Sequence, residues 1–226
     1  MGAYIMFLLW PSLALIFAFV NYCKKSSKNI LWLFCGFYGY NLVISNELMD
    51  ANRYRDLFLF YRASSSVNLD YVLNVFGTSA TRTDFFFPLI SYFLSRFTAE
   101  PRILFLCLGL IFGFFYSRNI WYIIEKSGRP INPTALTFLV TFSLIAPFWS
   151  INGFRFYTAF HIFIFGLLHY FAENKKYYLL ISLAAFLVHF SFLFPAAVLL
   201  LFILLGKRTK VYSIIFLLSF LILLLI

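Results

Sequence analysis

Apolar residues run along this chain in long blocks separated by short polar breaks. They show neither the alternation of a half-buried strand nor the one-sided stripe of a soluble helix. Blocks at 4–21, 30–45, 103–124, 134–149 and 154–171 come close to the length a helix needs to cross a bilayer, about 17–25 residues. Residues 85–97 form a shorter block interrupted by Pro88, which suits a re-entrant or interfacial helix. Residues 177–205 are too long for one ordinary crossing and contain Pro195, so they are predicted to cross twice as a tight hairpin bent near 189–195. The last block, 211–226, stops in Leu and Ile without a polar terminus; the chain is expected to end inside the bilayer or to be a shortened version of a longer protein. The pattern therefore predicts an all-α fold: a polytopic transmembrane helical bundle of about eight spans, forming a single integral membrane domain over 1–226.

Composition removes the soluble alternatives. Of 226 residues, 63% are hydrophobic and only 12% charged, against about 45–50% and about 25% in soluble domains. A globule of this size has too little interior to hide so much apolar surface, which excludes a soluble enzyme or a nucleic-acid binder. The first block has no basic region before it and is followed by Lys24, Lys25 and Lys28, so it reads as a span rather than a signal peptide. Cys23, Cys35 and Cys107 lack any paired spacing and read as small apolar residues, with no metal site among them.

The net charge of +10 is informative through its placement. If 85–97 does not cross and 177–205 crosses twice, the loops at 22–29, 118–133, 172–176 and 206–210 share one side. That side then holds 11 of the 18 basic residues, including all eight lysines, which marks it as cytoplasmic. The opposite side carries only arginines: Arg53, Arg55, Arg62, Arg82, Arg96, Arg102 and Arg155. Six of them lie in the segment 46–102 with Glu47, Asp50, Asp56, Asp70, Asp84 and Glu100. This long extracytoplasmic loop, which contains the 85–97 helix, far exceeds the two to eight residues that suffice between bundled helices. Arginine grips phosphate or carboxylate at two points where lysine offers a point charge, so the loop suits a polar anionic substrate at the outer surface.

Three constellations carry candidate chemistry. Asp50, Arg53, Tyr54, Arg55 and Asp56 precede Tyr61, and on a helix Asp50, Arg53 or Tyr54, and Tyr61 fall along one stripe, a carboxylate beside an aromatic platform for a sugar. The plain alternative is a solvated helix with weak Asp–Arg pairs. Arg155 lies just inside an apolar block, where a charge is costly; it either snorkels to the headgroups or binds an anion. His189, with Ser191 and Pro195 beyond it, sits at the outer tip of the predicted hairpin and can serve as a general base or as a packed polar residue. His161 and His169 lie deeper and read as structural. Gly109 and Gly113 have the spacing that lets two helices approach closely.

Together, Asp50 with Tyr54 after the second span, Arg155 with Ala159 at the start of a later one, and His189 with Ser191 resemble the EpsG-like branch of Wzy-type polysaccharide polymerases. The likeness runs over about 30–205, including Lys175 and Lys176 before the His-x-Ser segment. Members of the family are usually longer, so this chain is expected to be a shortened member. The resemblance implies a bacterial inner-membrane enzyme that transfers a growing glycan from its polyprenyl-diphosphate carrier to a hydroxyl of the next lipid-linked unit, on the extracytoplasmic face. It implies no nucleotide sugar, metal or other cofactor, and as partners membrane lipid, a chain-length regulator and a flippase. Within that frame Arg155, with Arg53 or Arg55, is expected to hold the diphosphate; His189 or Asp50 takes the hydroxyl proton, His189 being favoured; Tyr54, Tyr61 and Ser191 contact substrate. Rival readings are another polyprenyl-linked glycosyltransferase, an O-antigen ligase-like protein, or a lipid-linked oligosaccharide flippase or transporter.

Overall fold

Proline and short polar caps set where the helices begin. Pro11, Pro101 and Pro133 each stand in the first turn, where a missing N–H costs nothing. Glu100 accepts from the Arg102 N–H at 3.3 Å and Asn132 from the Ala135 N–H at 2.7 Å, satisfying donors that the helix leaves open. The computed structural model describes residues 2–44, 49–64, 67–73, 84–128 and 131–225, and these carry helices and no strand. Arg82 and Glu47 lie outside the described residues.

In chain order the helices are α1 (Gly2–Leu9), α2 (Pro11–Val20), α3 (Ser27–Tyr40), α4 (Met49–Ala63), α5 (Leu69–Leu73), α6 (Phe86–Phe97), α7 (Pro101–Lys126) and α8 (Pro133–Ile145). A 3₁₀ turn (Phe148–Gly153) leads into α9 (Phe154–Glu173), followed by α10 (Lys176–Leu183), α11 (Ala185–Val188), α12 (Leu193–Leu205) and α13 (Thr209–Leu225).

The centre is an antiparallel pair, α3 against the 26-residue α7, which at 1.5 Å per residue is about 39 Å long. Its closeness follows from glycine. A Cβ on Gly39 would strike the Phe105 carbonyl, and one on Gly109 the carbonyl of Cys35. Leu31, Cys35, Leu104, Leu108 and Phe112 are buried along this seam. At the seam's lysine-bearing end, Lys28 faces Glu125 at 3.9 Å and Arg118 donates to Asn29 at 2.9 Å.

The first apolar block departs from the expected single crossing. Trp10, at φ −152° and ψ 84°, leaves the helical region before Pro11, and the block splits into α1 and α2. The Tyr4 hydroxyl meets Asn29, while Phe19 lies against Trp121 with ring centroids 6.0 Å apart. Both ends of the block thus reach the same end of the α3–α7 pair, so it doubles back. The remaining chain shuttles between the two ends. Gly166 of α9 abuts Ser182 of α10, and Phe171 of α9 meets Phe202 of α12. Asn174 turns the chain after α9 in the left-handed region, φ 53°, which asparagine tolerates better than most residues.

Residues 177–205 divide at His189, whose extended backbone (φ −149°, ψ 121°) ends α11 and opens a short 3₁₀ turn (Phe190–Phe192). Pro195 falls in the first turn of α12 and so does not break it. Helix α6, 12 residues and about 18 Å long, is too short to cross a core of about 30 Å. It packs with α4 at the end of the bundle where α7 and α9 begin. Tyr54 of α4 packs at a tilt against Phe87 of α6 with centroids 4.3 Å apart, and Arg62 donates to the Ser95 and Arg96 carbonyls. The bend at His189, the first turn of α9 with Arg155, and Asp84 before α6 converge under this cap.

Candidate active site

Helix α9 opens on Gly153, whose lack of a side chain lets Tyr157 lie against it; Phe154 is buried and anchors the turn. Arg155 then projects from the first turn toward α4 and α6. Its Nη1 donates to Asp84 Oδ2 at 2.6 Å, and its Nε donates to the Tyr54 hydroxyl at 3.2 Å. The guanidinium lies 5.6 Å from the Tyr54 ring centre, within reach of the aromatic quadrupole. Asp84 stands just before α6 and is buried. Its other oxygen, Oδ1, accepts the backbone N–H of Phe190 at 3.1 Å. One carboxylate therefore joins the entry to α6, the start of α9 and the bend that carries His189.

At that bend His189 Nδ1 accepts the Ser191 N–H at 3.2 Å, and its ring meets Phe156 edge-on with centroids 5.5 Å apart. Asp50, Tyr54, Arg155 and His189, with Gly153, Phe156 and Tyr157, line a cavity of about 220 Å³. That is below the roughly 300–1,000 Å³ of sites for drug-sized ligands, so the cavity takes one group at a time, a phosphate or a single sugar ring.

A model of the EpsG family matches residues 45–226, which includes every residue of this cavity. The chain belongs to the EpsG family. No curated protein and no solved structure matches it. As an EpsG-family chain it is a membrane protein of polysaccharide biosynthesis. The apolar helices agree: α7 and the helical run 133–150 are each long and apolar enough to cross a membrane.

The electrostatics of this EpsG-family site follow from its burial. Burial pushes the His189 imidazole below its usual value; Asp84 and Asp50 pull it back up and Arg155 pushes it further down. The ring is therefore neutral at neutral pH. Because Nδ1 already accepts a backbone N–H, the proton of the neutral ring sits on Nε2, so His189 offers a donor there. Burial likewise raises the Tyr54 phenol above its ordinary range, Arg155 opposing the rise, and the hydroxyl stays protonated.

The structure brings Asp50, Tyr54, Arg155 and His189 to one cavity, with Ser191 bonded to the histidine beside it. Arg53 does not line the cavity; it is exposed, 3.6 Å from Asp50. Two other residues fall elsewhere. Arg55 turns to Asp56 at 3.0 Å and borders a different cavity, of about 460 Å³, with Glu100 and Arg102. Tyr61 is fully buried with Val67 and Val72 and packs on Tyr92. The stripe expected to present Asp50 and Tyr61 together is corrected accordingly. Helix α4 buries Ala51, Tyr54, Phe58 and Tyr61 as its packing face, and Tyr61 lies about 16 Å along the axis from Asp50.

The residue that sequence reasoning missed is Asp84, read only as one acid among six in the loop. Its signal was positional: a carboxylate directly before the apolar run Phe85–Phe86–Phe87 is expensive there unless paired. His161 and His169 are away from the cavity. His161 is fully buried, with Asn119 Nδ2 donating to its carbonyl at 2.9 Å, and His169 Nδ1 pairs with the Phe165 carbonyl at 2.9 Å.

Proposed function

We propose that the protein is a polysaccharide polymerase, transferring a glycan from a polyprenyl-diphosphate carrier to a hydroxyl of the next lipid-linked repeat unit. The observation that carries this reading is the arrangement around Arg155. Two of its five N–H groups are held by Tyr54 and Asp84, and the other three have no protein partner among the described residues. A planar guanidinium anchored at two points directs its free donors at a phosphate rather than swinging between partners. Arg53, exposed and 3.6 Å from Asp50, is paired with a carboxylate as Arg155 is with Asp84, so the site holds an anion through directed donors rather than through net charge.

In the reaction the acceptor oxygen attacks the anomeric carbon of the growing chain. The bond from that carbon to the diphosphate breaks, and the diphosphate leaves with the electron pair. Arg155 and the Nε2–H of His189 stabilise the charge that develops on it. The proton of the attacking hydroxyl passes to the Asp50 carboxylate, which lines the same cavity. This division replaces the expectation that His189 is the base, because its acceptor nitrogen is held by the Ser191 N–H.

The protein is read as multi-pass in a bacterial inner membrane, with the cavity on the extracytoplasmic side and the lysine-bearing ends opposite. A chain-length regulator and a flippase are its expected partners; nucleic acid is not.

Replacing Arg155 by Lys, or Asp50 by Asn, is expected to lower surface polymer about a hundredfold while inserted protein is unchanged. Gels of surface glycan decide the matter. Loss of long chains with single repeats retained supports polymerisation. Long polymer released from its final acceptor would point to a ligase, and single repeats trapped inside the cell to a flippase.

A further inference from the structure

A buried carboxylate is costly to keep ionised without partners, and Asp84 has only about 5% of its side chain exposed. Both of its oxygens are engaged, by Arg155 at 2.6 Å and by the Phe190 N–H at 3.1 Å. These partners lie 71 and 106 residues further along the chain, so local structure cannot bring them together. Each bond also aims something that points into the cavity. Holding Nη1 of Arg155 while Tyr54 holds Nε leaves a rigid plane no freedom to rotate, which sets the direction of its remaining donors. Holding the Phe190 N–H fixes the peptide next to His189, whose ring is further pinned by the Ser191 N–H.

We propose that Asp84 is a positioning residue for glycan transfer: its carboxylate aligns the free donors of Arg155 and the imidazole of His189 on one cavity without touching substrate. This rests on the polymerase reading of that cavity. Preorganised donors count because they need not reorient as charge develops, so the effect belongs in turnover more than in substrate affinity.

The test compares the wild-type chain with Asp84→Asn, Asp84→Glu and Arg155→Lys in membranes supplied with the cell's own lipid-linked repeat units. Asn keeps an acceptor for the Phe190 N–H but removes the charge facing Arg155. Asp84→Asn is expected to lose ten- to a hundredfold in turnover per inserted molecule, with KM for the lipid-linked unit within about threefold. Asp84→Glu restores the charge and is expected to recover at least about a third of turnover. The acid limb of the Asp84→Asn pH profile is expected at lower pH. The carboxylate that holds the His189 pKa up is gone there, while Arg155 and Asp50 still face the ring.

Asp84→Asn turning over within about twofold of wild type while Arg155→Lys is inactive would overturn the positioning role and leave the polymerase reading standing. Asp84→Asn and Asp84→Glu that lower only the amount of inserted protein, at full turnover per molecule, would reduce Asp84 to a structural residue. Wild-type polymer from Arg155→Lys would overturn both.

Discussion

The α3–α7 seam and the cap over the start of α9 are joined by opposite means. The seam is held by shape: glycines let two backbones touch, and apolar side chains fill the remaining space. Its polar contacts lie mainly at the edges, such as Trp32 Nε1 donating to the Leu110 carbonyl at 2.8 Å. The cap is held by directed polar bonds converging on Asp84 and Arg155, with the cavity beside Arg155. Packing tolerates no added volume but has no charge to adjust. A polar hub tolerates small changes in volume, yet fails when a single charge is removed. The two regions should therefore respond to mutation in different observables.

The largest expected effect is in the seam. Gly109→Val places carbon against the Cys35 carbonyl, a backbone atom that cannot step aside, and should cost about 3 kcal/mol or more. Loss of most inserted protein is the expected result, read as the amount recovered from membranes. Wild-type accumulation would show that the two helices have room to part. Hub variants such as Arg155→Lys instead keep the protein and lose the product.

A smaller effect sharpens the contrast through pH. His189 has its pKa lowered by burial in the fold, so the stability it contributes is fully present above the unfolded value of about 6.5. That contribution is lost as pH falls through the folded value, since protonating Nδ1 breaks the bond from the Ser191 N–H. The groups facing the ring are Asp84, Asp50 and Arg155. Polymerisation in membrane vesicles should still be full at about pH 6.5 and fall only as pH drops through the lowered folded value. An acid limb above about pH 6.5 would break the assignment of a neutral, donor-bearing ring. The seam offers no titrating group of this kind, and variants there should leave the limb in place.

The smallest effect marks the border of the site. Arg55 faces Asp56 and a different cavity, so Arg55→Gln should leave polymer within about twofold of wild type. A loss as large as that of Arg155→Lys would bring the second cavity into the reaction.

Much of the hub's membership could be read from residue order. Asp50, Tyr54, Arg155 and His189 stand in motifs that resemble a known family, and the sidedness of lysine and arginine places them at one end of the bundle. Tyr61 and Arg55 could not be sorted in the same way. They share α4 with Asp50, and which face of that helix is buried depends on α6 and α7 packing against it. The first apolar block misled for a related reason. Its length reads as a crossing, but the break at Trp10–Pro11 lets both halves fold onto α3.

By itself the sequence determined the solvent this protein lives in, the helical class and the asymmetry of its ends, because hydrophobic run length and loop charge are local properties. Tertiary structure alone decided that Asp84 is the joint of the site, which side of α4 faces the cavity and which nitrogen of His189 carries the proton. Those depend on hydrogen bonds and packing between segments far apart in the chain, and no local pattern records which distant donor a buried carboxylate will meet.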